Sequence, residues 1–150
     1  YPMRSIITRD YSYIFNPWSN GKRSYRTAPM AGLTFKAMQK AAEKDPQIKA
    51  RVNHLVKRNL EEFYDLKKDP DSLNNILGSK DKDSNYDKEI TNLREKLLKW
   101  MVEFKDPVLD AYKNRHSAEY LEKFMEEFTA KARAEKEALV PYEKAKGYRF

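Results

Sequence analysis

The side chains that could perform acid–base or metal chemistry are few and poorly grouped. The 150 residues contain two histidines, His54 and His116, and no cysteine. Neither histidine has a second histidine or a cysteine at metal-ligand spacing, which argues against zinc sites and thiol chemistry. His54 lies beside Leu55 in a helical stretch, a setting that favours a surface or half-buried role over catalysis. The sequence therefore predicts no catalytic residue among the histidines.

The carboxylates are numerous but are not paired for general acid–base work. Glu61 and Glu62 are adjacent in a predicted strand, where successive side chains point to opposite faces. Glu126 and Glu127 are adjacent in a predicted helix and do not face each other either. Structural or solvated roles are the more common fate of such groups.

Motifs for metal ions and phosphates are also lacking. Asp81, Asp83 and Asp87 have the spacing of a calcium loop, but the glycine and the later glutamate of an EF-hand do not accompany them. The 4 glycines of the chain cannot form a glycine-rich phosphate loop. We therefore expect no metal ligand and no cofactor in this chain.

The clearest binding chemistry lies in residues 16–26, which are basic and aromatic. A guanidinium group can hold a sulfate or phosphate with two parallel hydrogen bonds, and an aromatic ring can stack on a sugar or a base. A packed loop with solvated charges is the alternative. The side chains concerned are Trp18, Lys22, Arg23, Tyr25 and Arg26.

The net charge of +7 is concentrated in the first part of the chain. Residues 1–60 hold 12 basic and 3 acidic residues, whereas residues 61–150 hold 18 and 20. Such a segment attracts polyanions, but no nucleic-acid-binding motif accompanies it, so nucleic acid is not the expected partner. No run approaches the roughly 18 apolar residues of a membrane helix, so no membrane partner is expected. The start, YPMRSI, is neither an initiator methionine nor a signal peptide, and we expect a piece of a longer protein.

Three β-prone runs must supply the sheet. Residues 5–8 and 11–15 flank Arg9-Asp10 and predict a hairpin. Residues 61–66 predict a third strand, and Asp69-Pro70 predicts the turn after it. Because a lone strand is not stable, we expect these runs to form one small antiparallel sheet, with room for a further strand from upstream.

The remaining patterns are helical. A first helix is predicted from Leu33, and Pro46 is expected to open a second. Ser84 resembles the start of a capping box before a long helix over residues 86–104, with an apolar stripe that ends at Phe104. A last helix is predicted from Ser117 to about residue 139, before Pro141. The fold class is therefore α+β.

Three stretches, YPMRSIITRDYSYIFNPW, EEFYDLKKDPDSLNNI and LREKLLKWMVEFKDPVL, together resemble the C-terminal region of the sulfatase family, closest to its sulfamidase (heparan N-sulfatase) branch. The match covers about residues 1–109. Ile76 stands where leucine is usual in the family. The matching residues are Arg4, Tyr11, Tyr13, Glu62, Tyr64-Asp65-Leu66, Asp69-Pro70, Asn75-Ile76, Trp100 and Asp106-Pro107.

The resemblance implies a four-stranded antiparallel sheet with a long helix packed on it, docked against a large α/β catalytic domain. Residues 1–109 would form this subdomain, and residues 110–150, which the resemblance does not cover, a helical extension. A sulfatase needs a formylglycine made from Cys/Ser-x-Pro-x-Arg and a calcium ion held by aspartates and an amide. This chain has no such motif, so it is expected to be inactive alone, with calcium and formylglycine only in the catalytic domain of its parent.

By resemblance, the expected function is to complete the sulfatase fold and the substrate cleft for sulfated glycans. A structural or oligomerisation module without glycan contact is the alternative. The expected partners are the catalytic domain of the same parent chain and a sulfated glycan, in a periplasmic or secreted protein, or a lysosomal one in a eukaryote. By charge and position, the candidate glycan contacts are Arg4, Trp18, Lys22, Arg23, Tyr25 and Arg26.

Overall fold

The computed structural model describes residues 1–78 and 84–145 of the chain, and side chains up to residue 138. Within these residues the protein is an α+β unit, as predicted, with a three-stranded antiparallel sheet and five α-helices. Asp81 and Asp83, with their calcium-like spacing, lie outside the described residues.

The three predicted β-runs form one sheet in the order β1-β2-β3. β1 (Arg4–Ile7) and β2 (Tyr11–Phe15) form the predicted hairpin, closed by the Thr8 N–H, which donates to the Tyr11 carbonyl at 2.8 Å. β3 (Glu61–Asp65) pairs antiparallel with the other side of β2. Its turn forms as predicted, because the Asp69 carboxylate accepts the main-chain N–H groups that follow it.

The helices surround this sheet. Pro46 begins the second helix, as predicted, and Asp45 caps it by accepting two main-chain N–H groups. The fourth is a five-residue helix that the sequence patterns did not indicate. The helices are α1 (Leu33–Ala41), α2 (Pro46–Lys57), α3 (Asp87–Glu103), α4 (Leu109–Lys113) and α5 (Ala118–Ala145).

The core lies between one face of the sheet and α3, α4 and the beginning of α5. The rings of Phe15 and Tyr112 meet edge to face with their centroids 5.0 Å apart, which joins β2 to α4. Tyr112 and Leu121 follow residue 109 in sequence and pack into the same cluster, so the start of the helical extension belongs to this core. α3 contributes a buried stripe at helical spacing, namely Ile90, Leu93, Leu97 and Met101.

Three predictions about helix ends were wrong. The capping box at Ser84 does not form: residues Ser84–Tyr86 make a 3-10 turn, so Ser84 is not at an extended N-cap position. The apolar stripe ends before Phe104, which follows α3 and is 61% exposed. α5 continues past Pro141 to Ala145 as one helix, although a proline usually disrupts a helix interior.

The adjacent carboxylates of β3 point to opposite faces, as predicted, and each anchors a separate polar network. Glu61, on the face towards α3, accepts hydrogen bonds from the Tyr13 hydroxyl at 2.7 Å and from the Arg115 Nε at 3.2 Å. Arg94 of α3 donates to the same carboxylate with two nitrogens. This network ties the sheet to α3 and to the segment between α4 and α5.

Glu62, on the other face, is fully buried. Its Oε2 accepts from Arg58 Nη2 at 2.6 Å and from the Tyr64 hydroxyl at 2.8 Å. Its Oε1 accepts from Asn16 Nδ2 at 3.1 Å and from the Asn59 N–H at 3.0 Å. A buried charge is tolerated only when it is paired and hydrogen-bonded, and these four donors meet that condition.

The two outer edges of the sheet differ. The side-chain amide of Asn75 lies along β3, where its Oδ1 accepts from the Phe63 N–H at 2.9 Å and its Nδ2 donates to the Glu61 carbonyl at 3.2 Å. Since Thr8 and Tyr11 form a hydrogen-bonded pair, the antiparallel pattern directs the main-chain groups of Ser5 and Ile7 away from β2. Within the described residues nothing bonds to those groups, so the β1 edge is open.

Replacing Glu62 by alanine is expected to lower the free energy of unfolding by about 3 kcal/mol. The substitution would remove the buried carboxylate and leave the Arg58 guanidinium without its ion-pair partner. Chemical denaturation monitored by circular dichroism measures the loss. Glu95→Ala, an exposed glutamate on α3, is the control and should change stability by less than about 0.5 kcal/mol. Equal stability of the two variants would contradict the role given to Glu62.

Replacing Asn75 by alanine should expose the β3 edge, because both side-chain bonds to the strand are lost. The Phe63 amide is expected to exchange its hydrogen about fivefold faster, since the hydrogen bond that it loses contributes about 1 kcal/mol. Hydrogen exchange measured by NMR tests this. Asn74→Ala is the control, because the Asn74 side chain makes no bond to the described residues.

The same exchange experiment tests the open edge in the unsubstituted protein. The Ser5 and Ile7 amides should exchange fast, whereas the Ile6 amide, which faces β2, should be protected. Protection of all three amides to the same degree would show that the β1 edge is covered.

Candidate functional site

The basic loop after β2 is held by its own turn chemistry. Gly21 has a φ of 76°, a left-handed conformation that favours glycine. The Asn20 Oδ1 accepts from the main-chain N–H groups of Lys22 and Arg23 at 3.0 and 2.8 Å. The Tyr25 N–H then donates to the Val56 carbonyl at 2.7 Å, which fixes the loop against α2.

Two of the candidate arginines are engaged within the chain. Arg4 Nε lies 2.5 Å from the Asp106 Oδ2, and this pair joins the start of β1 to the segment after α3. Arg23 donates with two nitrogens to the Glu122 carboxylate, at 3.1 and 2.6 Å, which fastens the loop to α5. The Arg23–Glu122 pair is bidentate and therefore geometrically specific, whereas Arg4 contacts Asp106 through Nε alone and donates from Nη1 to the Met3 carbonyl.

Trp18 does not offer a free ring to a ligand. It is fully buried, and its ring stacks between Tyr1 and Tyr25 at centroid distances of 5.2 and 5.3 Å. A sugar could stack on Trp18 only after one of these tyrosines moved. In the structure the Trp18 ring packs against one face of the Tyr25 ring.

Lys22, Tyr25 and Arg26 are the candidates that remain accessible. Lys22 and Arg26 are exposed, and neither side chain forms an ion pair with the described residues. Tyr25 and Arg26 line a cavity of about 430 Å³ between the loop and the first two helices. Glycan contact by the six candidate residues stays a prediction. Of the six, Lys22, Tyr25 and Arg26 are accessible enough to contact a glycan.

A polar relay that the sequence did not indicate lies on the other side of α2. His54 Nε2 is 3.0 Å from the Tyr64 hydroxyl, which donates to Glu62. Because that hydroxyl has a single proton, it accepts from His54, and the neutral imidazole carries its proton on Nε2. His54 is half-buried, as predicted, but its partners come from β3. No local spacing in the sequence indicates these partners, because His54 lies in α2 and Tyr64 and Glu62 lie in β3.

Burial sets the protonation of this relay. Burial raises the pKa of the Tyr64 hydroxyl, and the neighbouring Glu62 carboxylate raises it further, so Tyr64 remains a donor at neutral pH. Burial lowers the pKa of the His54 imidazole below its ordinary value. Glu62 opposes this shift, whereas the charges of Arg58 and Arg51 add to it.

Searches for two further kinds of site gave no result in the described part of the chain. Among the side chains of residues 1–78 and 84–138, no group of three or more His, Asp or Glu could hold a metal ion. No helix there is both long and apolar enough to cross a membrane.

Comparison with protein-family models and with curated proteins identified no relative of this chain. No model of a protein family matches the chain, and a search of curated proteins finds no significant match.

The lowered pKa of His54 predicts a pH dependence of stability. Because the unfolded chain takes up a proton near pH 6.5 and the folded chain does so only at lower pH, the free energy of unfolding should fall as pH falls below about 6.5. His54→Gln keeps an N–H donor for Tyr64 but does not titrate. Denaturation at about pH 7.5 and 5.5 should therefore show a smaller loss in the variant, and an unchanged loss would contradict the assignment.

Proposed function

We propose that this chain is a non-catalytic C-terminal subdomain of a sulfatase-like hydrolase, which completes the fold beside a catalytic domain and contacts sulfated glycan through its basic loop. The nucleophile and the calcium ion belong to the catalytic domain of the parent. This chain contributes shape and positive charge to the substrate cleft.

The open β1 edge is the observation that carries the proposal. The resemblance implies four strands, and the described sheet has three. Asn75 closes the β3 edge, so a fourth strand has one place to pair, beside Ser5 and Ile7. Ile7 is 67% exposed at this edge. An open, partly apolar edge is a ready template for another strand, as expected where a subdomain joins a larger sheet protein.

Exposed apolar surface at the C-terminal end of α3 supports a docked subdomain. Trp100 and Phe104 are 46% and 61% exposed, and their rings contact each other with centroids 5.1 Å apart. Val102, between them in sequence, is 52% exposed. Apolar groups clustered in this way are typical of surfaces that another protein or domain covers.

The charge of the loop supports contact with a sulfated glycan. Arg26 and Lys22 are exposed cations without an ion-pair partner among the described residues, and Tyr25 lies beside them with one ring face against Trp18. A guanidinium fork suits a sulfate group, and a supported aromatic ring suits the apolar face of a sugar.

Replacing Lys22 and Arg26 together by alanine is expected to weaken heparin binding, so that the variant elutes from immobilised heparin at a lower salt concentration. Both side chains are exposed, so the fold should be unaffected. Lys131→Ala with Arg133→Ala, two exposed cations on α5, is the charge-matched control and should elute as the unsubstituted chain does. Equal elution of both variants would remove the loop from the proposal.

An oligomerisation module is the second candidate, and α5 is the feature that favours it. Phe124 and Phe128, both half-buried, line an apolar groove of about 390 Å³ on this helix together with Pro107. Sedimentation of the 150-residue chain and of a Phe128→Glu variant separates the candidates. A dimer that the substitution dissociates would support oligomerisation, whereas a monomer in both cases would exclude it.

A further inference from the structure

A second concave surface lies away from the basic loop, between α1, α2 and the turn after β3. It has a volume of about 720 Å³, within the range of small-molecule sites. Met38, Ile48 and Leu73 give it apolar walls, and Arg51 and His54 give it a polar floor. Among the described residues, no aspartate or glutamate lines it. The groove therefore offers apolar contact and positive charge together.

The wall that carries Leu73 is fixed in place. The Asp69 carboxylate accepts from the Leu73 and Asn74 N–H groups at 3.0 and 2.7 Å. Arg51 Nη1 donates to the Ser72 carbonyl at 3.3 Å, which joins this turn to α2. A site held in this way loses little conformational entropy when a ligand binds.

The polar floor has unused hydrogen-bonding capacity. Arg51 spends one N–H on Ser72, and its other guanidinium donors make no bond to the described residues. His54 uses Nε2 for Tyr64, which leaves Nδ1 as the nitrogen that can accept a proton. Once Nδ1 is protonated, it becomes a second donor beside the guanidinium group.

We propose that this groove binds a small organic monocarboxylate, with its two oxygens between Arg51 and His54 and its apolar chain against Met38, Ile48 and Leu73. Binding is coupled to uptake of one proton at His54. A planar two-oxygen anion fits a guanidinium group beside an imidazolium, and an apolar chain fits the side chains of Met38, Ile48 and Leu73, although Gln47 and Asn74 also line the groove. This inference is independent of the proposed glycan contact, which concerns the opposite side of α2.

The proton coupling follows from the charges that face His54. Glu62 of β3 lies 3.9 Å from its Nε2 and favours the imidazolium form. Arg51 of α2 and Arg58, which follows α2, disfavour that form, and the Tyr64 hydroxyl of β3 accepts a hydrogen bond from Nε2. A bound carboxylate would offset the charge of Arg51, so ligand and proton should stabilise each other's binding.

The test uses the complete 150-residue chain and hexanoate as the probe. The Cε1–H NMR resonance of His54 reports binding, and a His116→Gln variant assigns it, since one histidine then remains. We expect saturable binding of hexanoate that weakens several-fold between about pH 5.5 and 7.5, because one proton is taken up on binding. Hexanamide, an uncharged analogue of the same length, should produce no saturable shift.

Two substitutions locate the site. Arg51→Gln should weaken hexanoate binding about tenfold or more, the effect of losing one charge-assisted hydrogen bond. Leu73→Asp, at a side chain that is 52% exposed and so tolerant of change, should abolish binding by repulsion. Arg133→Gln on α5 is the charge-matched control and should bind as the unsubstituted chain does. Absence of saturation up to about 10 mM hexanoate, equal binding of hexanamide, or unchanged binding by both groove variants would overturn the proposal.

Discussion

Two adjacent carboxylates on one short strand are the constraint on which the rest of this structure depends. A strand directs successive side chains to opposite faces, so Glu61 and Glu62 must be satisfied on different sides of the sheet. Each needs its own cations, because an unpaired carboxylate in a protein interior costs several kcal/mol. Arg94 and Arg115 meet this need on one face, and Arg58 meets it on the other. The two networks thereby join the sheet to α3 on one face and to the end of α2 on the other.

The backbone adapts to the same constraint. Arg58 has a φ of 54°, in the left-handed region that residues other than glycine rarely occupy, at a cost of about 1–2 kcal/mol. At this turn from α2 into β3 the Arg58 side chain pairs with Glu62 at 2.6 Å. Tyr64 and His54 then extend the Glu62 network to the groove beside α2, where we propose that a carboxylate binds.

Local patterns predicted much of the fold, and distant contacts account for what they missed. The hairpin, β3, the start of α2 at Pro46 and the buried stripe of α3 follow from alternation, helical spacing and proline chemistry, which act within a few residues. The ion pair of Arg23 with Glu122 joins residues 99 apart, and the stacking of Trp18 depends on Tyr1. No local pattern reports such pairs. The sequence therefore indicated an exposed contact loop, whereas in the structure Arg23 and Trp18 are held by other parts of the chain and Lys22 and Arg26 remain exposed. The exposure of Phe104 likewise depends on where α3 ends relative to the sheet.

The central claim is that this sheet belongs to a larger hydrolase whose reactive groups lie outside the chain. Determining the natural coding sequence that precedes Tyr1 tests it most directly. The proposal predicts an in-frame Cys/Ser-x-Pro-x-Arg motif, together with aspartates able to hold calcium, in a preceding α/β domain. A natural reading frame with no such motif before the segment that encodes this chain would contradict it.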